Sequence, residues 1–261
     1  LARLGGGGFV YDMVGYNDSG KQIGHRWSSP ADELWGISVM ALQSWNTLRA
    51  LDFLAGLPDV DPQRIGVTGA SGGGTQTFMV MGIDPRVAVA APVNMISCSM
   101  QGGCVCENAP LLRIETDNME IGALMAPRPL LLVSASGDWT KETPQIEYPA
   151  IRGIYELYGA ANRVENKHFN AGHNYNQDSR EAMYTSFRRW LLGVKGEEKY
   201  PEPPFTVDKK EDLLVWGGRE LPKEAKNQKT LEDAIIAECR RQRDELLPKK
   251  AEDRERFAQT L

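Results

Sequence analysis

Gly69-Ala70-Ser71-Gly72-Gly73 is a G-x-S-x-G pentapeptide. It lies between a strand signal, Arg64-Ile65-Gly66-Val67-Thr68, and a small-residue helix start, Gly72-Gly73-Gly74-Thr75. A serine on so sharp a strand-to-helix turn must take a strained backbone conformation, and the flanking glycines leave space that a Cβ would fill. Its hydroxyl then stands at the carboxyl end of a sheet, beside helix N–H groups free to hold an oxyanion. Ser71 is therefore the candidate nucleophile, and the N–H of Gly72 the candidate oxyanion donor. A tight turn or a phosphate cradle uses similar residues, so the motif has to be weighed with a base and an acid.

The bases to choose from are His25, His168 and His173. His173 stands in Asn170-Ala171-Gly172-His173-Asn174-Tyr175, a polar loop after the apolar-polar run Arg163 to Phe169 and before a helix starting near Asp178. A loop after a late strand is where a sheet of this kind delivers its base. His168, at the strand end, reads as a packing or capping residue, and His25, before Arg26-Trp27, as a solvated or substrate-rim side chain. The acid is expected at Asp138, just past the buried-type run Leu130-Leu131-Leu132-Val133-Ser134-Ala135. Asp117 has no preceding strand, Asp178 reads as a helix N-cap, and Asp84 in Ile83-Asp84-Pro85 reads as a turn residue. Trp139 and Asn174 flank the acid and the base, and are candidate substrate contacts against a reading of local packing and turn formation.

The elements that must position these residues alternate as in a doubly wound sheet. One helix is expected from Pro30 to Ala55, with an apolar stripe of Leu34, Ile37, Ala41, Trp45 and Leu48. Strands are expected near Ile65, over Val87 to Ala91, Leu130 to Ala135 and Val164 to His168. Helices are expected over Gly72 to Gly82, Pro144 to Tyr158 and Ser179 to Leu192. Pro92 to Leu124 is a long irregular excursion from a strand's carboxyl end, so it should overhang the site. Residues 1–195 are thus expected to be the catalytic domain. Residues 196–261 form a charged extension, in which Thr230 caps a helix that docks Leu231, Ile235, Cys239 and Leu246 on the body.

Composition agrees: 261 residues, 41% hydrophobic and 25% charged, suffice for one sizeable core. A net charge of −5 offers no basic stripe for nucleic acid, and no apolar run approaches the roughly eighteen residues that span a bilayer. The spacing Cys98-x5-Cys104-x-Cys106 lacks a C-x2-C pair and has no histidine within a few residues, so a metal is not expected. A disulfide from Cys98 to Cys104 or Cys106 is expected, or buried thiols over the site. A disulfide would favour a secreted or periplasmic setting, although the compartment is otherwise open.

From Phe9 to Leu192 the chain resembles the α/β-hydrolase superfamily. Tyr11-Asp12-Met13-Val14-Gly15-Tyr16-Asn17-Asp18-Ser19 is similar to the loop after that family's fourth strand, and Asp61 to Val67 to the lead into its nucleophile strand. Ala126-Pro127-Arg128-Pro129-Leu130-Leu131-Leu132 resembles the approach to the acid strand. Gly102-Gly103-Cys104-Val105-Cys106-Glu107-Asn108-Ala109-Pro110 resembles a segment of bacterial acetyl xylan esterase-like and dienelactone hydrolase-like enzymes. The resemblance implies a mostly parallel sheet flanked by helices. It also implies that the N-terminal strands, including the one between the fourth and the nucleophile strand, are absent from these residues or come from another chain, along with the second oxyanion donor.

The resulting expectation is a serine carboxylesterase that works through an acyl-enzyme without a cofactor and deacetylates a carbohydrate such as xylan or xylo-oligosaccharides. Two other readings are a prolyl oligopeptidase-like serine peptidase and a non-catalytic binding protein of the same fold. Oligomeric state is not legible.

Overall fold

The computed structural model describes residues 4–27, 29–100, 102–196, 198–248, 254 and 258. Four strands, β1 (Ile65–Ala70), β2 (Val87–Val93), β3 (Leu130–Gly137) and β4 (Val164–Gly172), form one sheet in the order β1-β2-β3-β4. Every pairing is parallel. Parallel neighbours need crossovers, and these are α3 (Gly72–Ile83), α4 (Asn118–Ala123) and α5 (Glu147–Leu157). Upstream lie α1 (Pro30–Leu34) and α2 (Val39–Ala55), and downstream α6 (Gln177–Leu191), α7 (Lys210–Leu213) and α8 (Gln228–Leu246).

Strand periodicity divides the core into two layers. Ala90, Leu130 and Leu132 face Phe78 and Met81 of α3, Ile151 and Tyr155 of α5, and Leu51 of α2. Val89, Ala91, Val93, Leu131 and Val133 face Met183 and Phe187 of α6. Helices cover both faces of the central strands, which is why β2 and β3 read as unbroken apolar runs rather than alternating ones.

The single helix expected over residues 30–55 is two. α1 stops at Leu34, Gly36 turns the chain at φ +69°, and the Ser38 side chain caps α2 by accepting the N–H of Ala41 at 3.1 Å. The expected apolar stripe is displaced accordingly: Leu34 and Trp45 are exposed, whereas Ile37, Val39, Met40 and Leu51 are buried. Trp45 instead carries the Arg49 guanidinium over its ring at 4.5 Å.

α8 is capped by Asn227, whose carboxamide oxygen accepts the N–H of Thr230, so Thr230 is inside the helix rather than its cap. Leu231, Ile235 and Ile236 of α8 pack beside Val14, Trp27 and Ile37, while Leu246 is half exposed. α6 is capped by Asn176, with Asp178 in its first turn.

β1 pairs with β2 alone among the described strands. Residues 9–13 form no strand beside it. A groove of about 640 Å³ lies along this outer edge, lined by Phe9, Tyr11, Leu51, Val67 and Phe187 among others.

Candidate active site

Register aligns the carboxyl ends of the strands, pairing Ala70 with Val93, Val93 with Val133, and Gly137 with Gly172. The residues immediately beyond are Ser71, Asn94, Asp138 and His173. One edge of the sheet therefore presents a hydroxyl, a carboxamide, a carboxylate and an imidazole.

Ser71 has φ +54° and ψ −120°, a conformation that a non-glycine residue keeps only when its surroundings impose it. Its N–H donates to the carbonyl of Val93 at 3.1 Å, and its own carbonyl accepts the N–H of Thr75 at 2.8 Å. The strand end and the first helical turn thus pull on the same residue. Gly69 is what lets them meet, because a Cβ there would stand 2.5 Å from the backbone carbonyl of Gly73. Gly72, Gly73 and Gly74 precede the first intrahelical hydrogen bond, so their N–H groups have no acceptor within the helix.

His173 Nδ1–H donates to Asp138 Oδ2 at 2.8 Å. The other carboxylate oxygen, Oδ1, accepts the Thr140 N–H at 2.7 Å and the Thr140 hydroxyl at 2.6 Å, and that hydroxyl itself accepts the N–H of Ala135 at 3.0 Å. Asp138 is therefore tied to the strand it follows; its side chain is 2% exposed, against 33% for His173. The arrangement fixes the imidazole tautomer with Nε2 free of a proton.

The loop carrying His173 is anchored on both sides. Tyr175 shares a 2.6 Å hydrogen bond with Thr68 Oγ1, and burial pushes its phenol up to about 12, which keeps it protonated. Asn94, buried and at φ +48°, donates from Nδ2 to the carbonyl of Asn174 at 3.2 Å. The Trp139 ring lies against His173 with centroids 4.3 Å apart, and its indole nitrogen is buried without a partner. The Asn174 side chain is occupied within its own turn, donating to the carbonyl of Gly172 and accepting the N–H of Asn176 at 2.7 Å.

Glu107 is a site residue that sequence reasoning missed. It is buried, and its Oε1 accepts the Ser71 hydroxyl at 3.0 Å while Oε2 accepts the N–H of Cys104 at 2.9 Å. Among the described hydrogen bonds the Ser71 hydroxyl goes to Glu107 and not to His173. Glu107 sits in the excursion after β2, on a 3-10 turn over Val105–Glu107, where no periodicity marks any residue. Asn94 was missed for a different reason: only strand register shows that it shares an edge with Ser71.

The rival candidates have structural duties. Asp117 caps α4 by accepting the N–H groups of Met119 and Glu120 at 2.7 and 3.0 Å. Asp84 grips Arg86, which holds its carboxyl below the usual range. His168 Nδ1 bonds the Ser134 hydroxyl at 2.8 Å. His25 is not a solvated rim residue: it is half-buried, with Nδ1 2.6 Å from the carbonyl of Val14 and Nε2 3.2 Å from Cys104 Sγ. All four cysteines are free thiols, so the expected disulfide of Cys98 is not formed, and Cys98 is exposed.

Among solved structures the chain is similar to methylesterase BT1017, with 31% identity and a TM-score of 0.71 over 88% of this chain and 53% of that one. The chain has the α/β-hydrolase fold. Two further structures of that fold superpose on it. A carbohydrate esterase family 15 glucuronoyl esterase from Caldicellulosiruptor kristjansonii matches 66% of this chain and 55% of its own, at 21% identity and TM-score 0.52. The glucuronoyl esterase catalytic domain from Hypocrea jecorina matches 83% of this chain and 68% of its own, at 17% identity and TM-score 0.53. The chain thus spans about half the length of the first two structures. No protein-family model and no curated protein matches the sequence.

Proposed function

We propose that this protein is a serine carboxylesterase acting on carbohydrate esters. The observation that supports it most is the convergence on one sheet edge of a strained Ser71, a tautomer-locked His173 and the Asp138 that locks it. In the proposed reaction His173 Nε2 takes the Ser71 proton as Oγ attacks the ester carbonyl, and the Gly72 N–H bonds the developing oxyanion. His173 returns the proton to the leaving alcohol, which gives an acyl-enzyme. Water then attacks with His173 as base again, releasing the acid and restoring Ser71. Before attack the Ser71 hydroxyl must swing from Glu107 to His173, a change consistent with catalytic hydrogen bonds that tighten only with substrate bound.

The sugar can supply either half of the ester. The acetyl xylan reading makes it the alcohol. A glucuronoyl ester makes it the acyl group, and the names of the similar structures, a methylesterase and glucuronoyl esterases, favour that side. Trp139, whose ring lies tilted beside His173, is the proposed sugar-facing surface, and Asn174 the residue that shapes the His173 turn.

The test is turnover of 4-nitrophenyl acetate, acetylated xylan, a glucuronic acid methyl ester and a peptide by wild type and Ser71→Ala. Esterase activity should fall roughly 10⁴-fold or more in the variant with folding unchanged, because the lost hydroxyl is covalent in catalysis and small in volume. Equal rates in both proteins would refute the reading, and turnover of the peptide alone would favour the peptidase.

A further inference from the structure

We propose that His25, Cys104 and Cys106 are a binding site for a thiophilic metal ion, with Zn²⁺ the expected occupant. The spacing Cys104-x-Cys106 hides this in the sequence, because the third ligand lies 79 residues upstream. In space His25 Nε2 and the two sulfurs all lie within 4.8 Å of one another. A tetrahedral ion with Zn–S near 2.3 Å and Zn–N near 2.0–2.1 Å holds such atoms about 3.6–3.8 Å apart. The observed His25–Cys104 separation of 3.2 Å is close to that, and with every pair inside 4.8 Å side-chain adjustments of about 1 Å complete the set.

The imidazole is arranged as a ligand. A backbone carbonyl can only accept, so the 2.6 Å contact with Val14 places the ring proton on Nδ1 and aims the Nε2 lone pair at the sulfurs. Metal-ligating histidines carry this outer hydrogen bond, which fixes tautomer and ring orientation together. The backbone of His25 is packed against Gly15, and its ring has an aromatic neighbour. Gly15, at φ +85°, lies so close that a Cβ there would be 2.2 Å from the His25 backbone nitrogen, and the Tyr16 ring lies 4.4 Å from the imidazole on centroids.

Donor chemistry selects the ion. Two sulfurs and one imidazole nitrogen suit Zn²⁺ rather than Mg²⁺ or Ca²⁺, which take oxygen. Binding converts two thiols and a neutral imidazole into a thiolate pair and a coordinated ring, releasing two protons to solvent; no oxidant or reductant is needed. Cys106 is buried, whereas His25 and Cys104 are half-buried, so water can reach a fourth position.

Such an ion would clamp the loop around residues 14–27 to the turn that abuts the nucleophile. Cys106 Sγ lies 3.3 Å from where a Gly72 Cβ would be, and the next residue, Glu107, accepts the Ser71 hydroxyl.

The test uses the full chain kept reduced, stripped with a chelator, then titrated with Zn²⁺ and, separately, Co²⁺. Expected are about one equivalent bound, a sulfur-to-Co²⁺ charge-transfer band with tetrahedral ligand-field absorption, and Zn²⁺ protection of two of the four thiols from a disulfide reagent, identified by mass as Cys104 and Cys106. Cys104→Ser and His25→Ala should abolish the charge-transfer band or weaken binding at least tenfold, and Cys98→Ser and Cys239→Ser should leave both unchanged. Thiol protection is read on wild type, so it stands even if a variant misfolds. Absence of stoichiometric binding to the reduced wild-type chain, binding undiminished in folded Cys104→Ser, or protection of Cys98 and Cys239 instead, would each overturn the proposal.

Discussion

Ser71 has one proton and two carboxylate-backed neighbours competing for its influence: Glu107 holds it directly, and Asp138 acts through His173. The two acids are separable by substitution. Asp138→Asn should cut kcat/KM on the order of 10³–10⁴-fold, because an amide at Oδ2 no longer holds the imidazole in the tautomer a base requires. Asp117→Asn should leave kcat/KM nearly unchanged, since asparagine caps a helix as well as aspartate does. Rates on a chromogenic ester measure both, and the opposite ranking would move the acid. Glu107→Gln acts on stability. Glu107 accepts from both the Ser71 hydroxyl and the Cys104 N–H, and a carboxamide can offer its oxygen to only one of them. A loss of about 1–3 kcal/mol in urea unfolding is expected, and a midpoint equal to wild type would contradict it.

At the scale of elements, the turn between β1 and α3 concentrates the chemistry in a few backbone atoms. Gly69 and Gly73 look equivalent in the pentapeptide, yet their surroundings differ. A Cβ on Gly69 would collide with the Gly73 backbone at 2.5 Å, whereas nothing lies within 4 Å of a Cβ on Gly73. Gly69→Ala should therefore destabilise by about 1–3 kcal/mol or more, while Gly73→Ala should be neutral or stabilising by up to about 1 kcal/mol. Thermal melts of the two variants check this, and equal shifts would show that the turn is looser than its geometry indicates. β4 runs on to Gly172, beyond the His168 expected from sequence, so the bend that carries His173 starts directly at the end of a paired strand.

Over the whole molecule the four described strands place Ser71, Asn94, Asp138 and His173 on one edge, and the lateral boundary at β1 stands apart. Among the described residues this six-residue strand has a neighbour on one side only, and its other edge lies beside a groove of about 640 Å³ lined by Phe9, Val67 and Phe187, so backbone groups without a strand partner adjoin apolar surface. Such edges recruit other strands. A polypeptide of these 261 residues should accordingly self-associate at micromolar concentration and bind an apolar dye, as read by sedimentation velocity and fluorescence. A monodisperse monomer that leaves the dye dark would contradict this.

The sequence by itself made legible the four strands in their order and the candidate residues Ser71, Asp138 and His173, because these rest on local signals, whereas it left α4 inside a stretch read as irregular. A Gly-rich turn after a β-branched run, an aspartate after a buried apolar run, and a histidine after a late strand each report a neighbourhood of a few residues. The break between α1 and α2 was equally local, in Gly36 and Ser38, but the apolar spacing across it masked the signal. Only the tertiary structure decided that Glu107 holds the Ser71 hydroxyl, that Asn94 braces the His173 loop, and that His25 lies against Cys104. Each of these contacts joins segments 36 to 80 residues apart. No periodicity records such a pairing, since it follows from which strands lie side by side and where an irregular loop comes to rest on them.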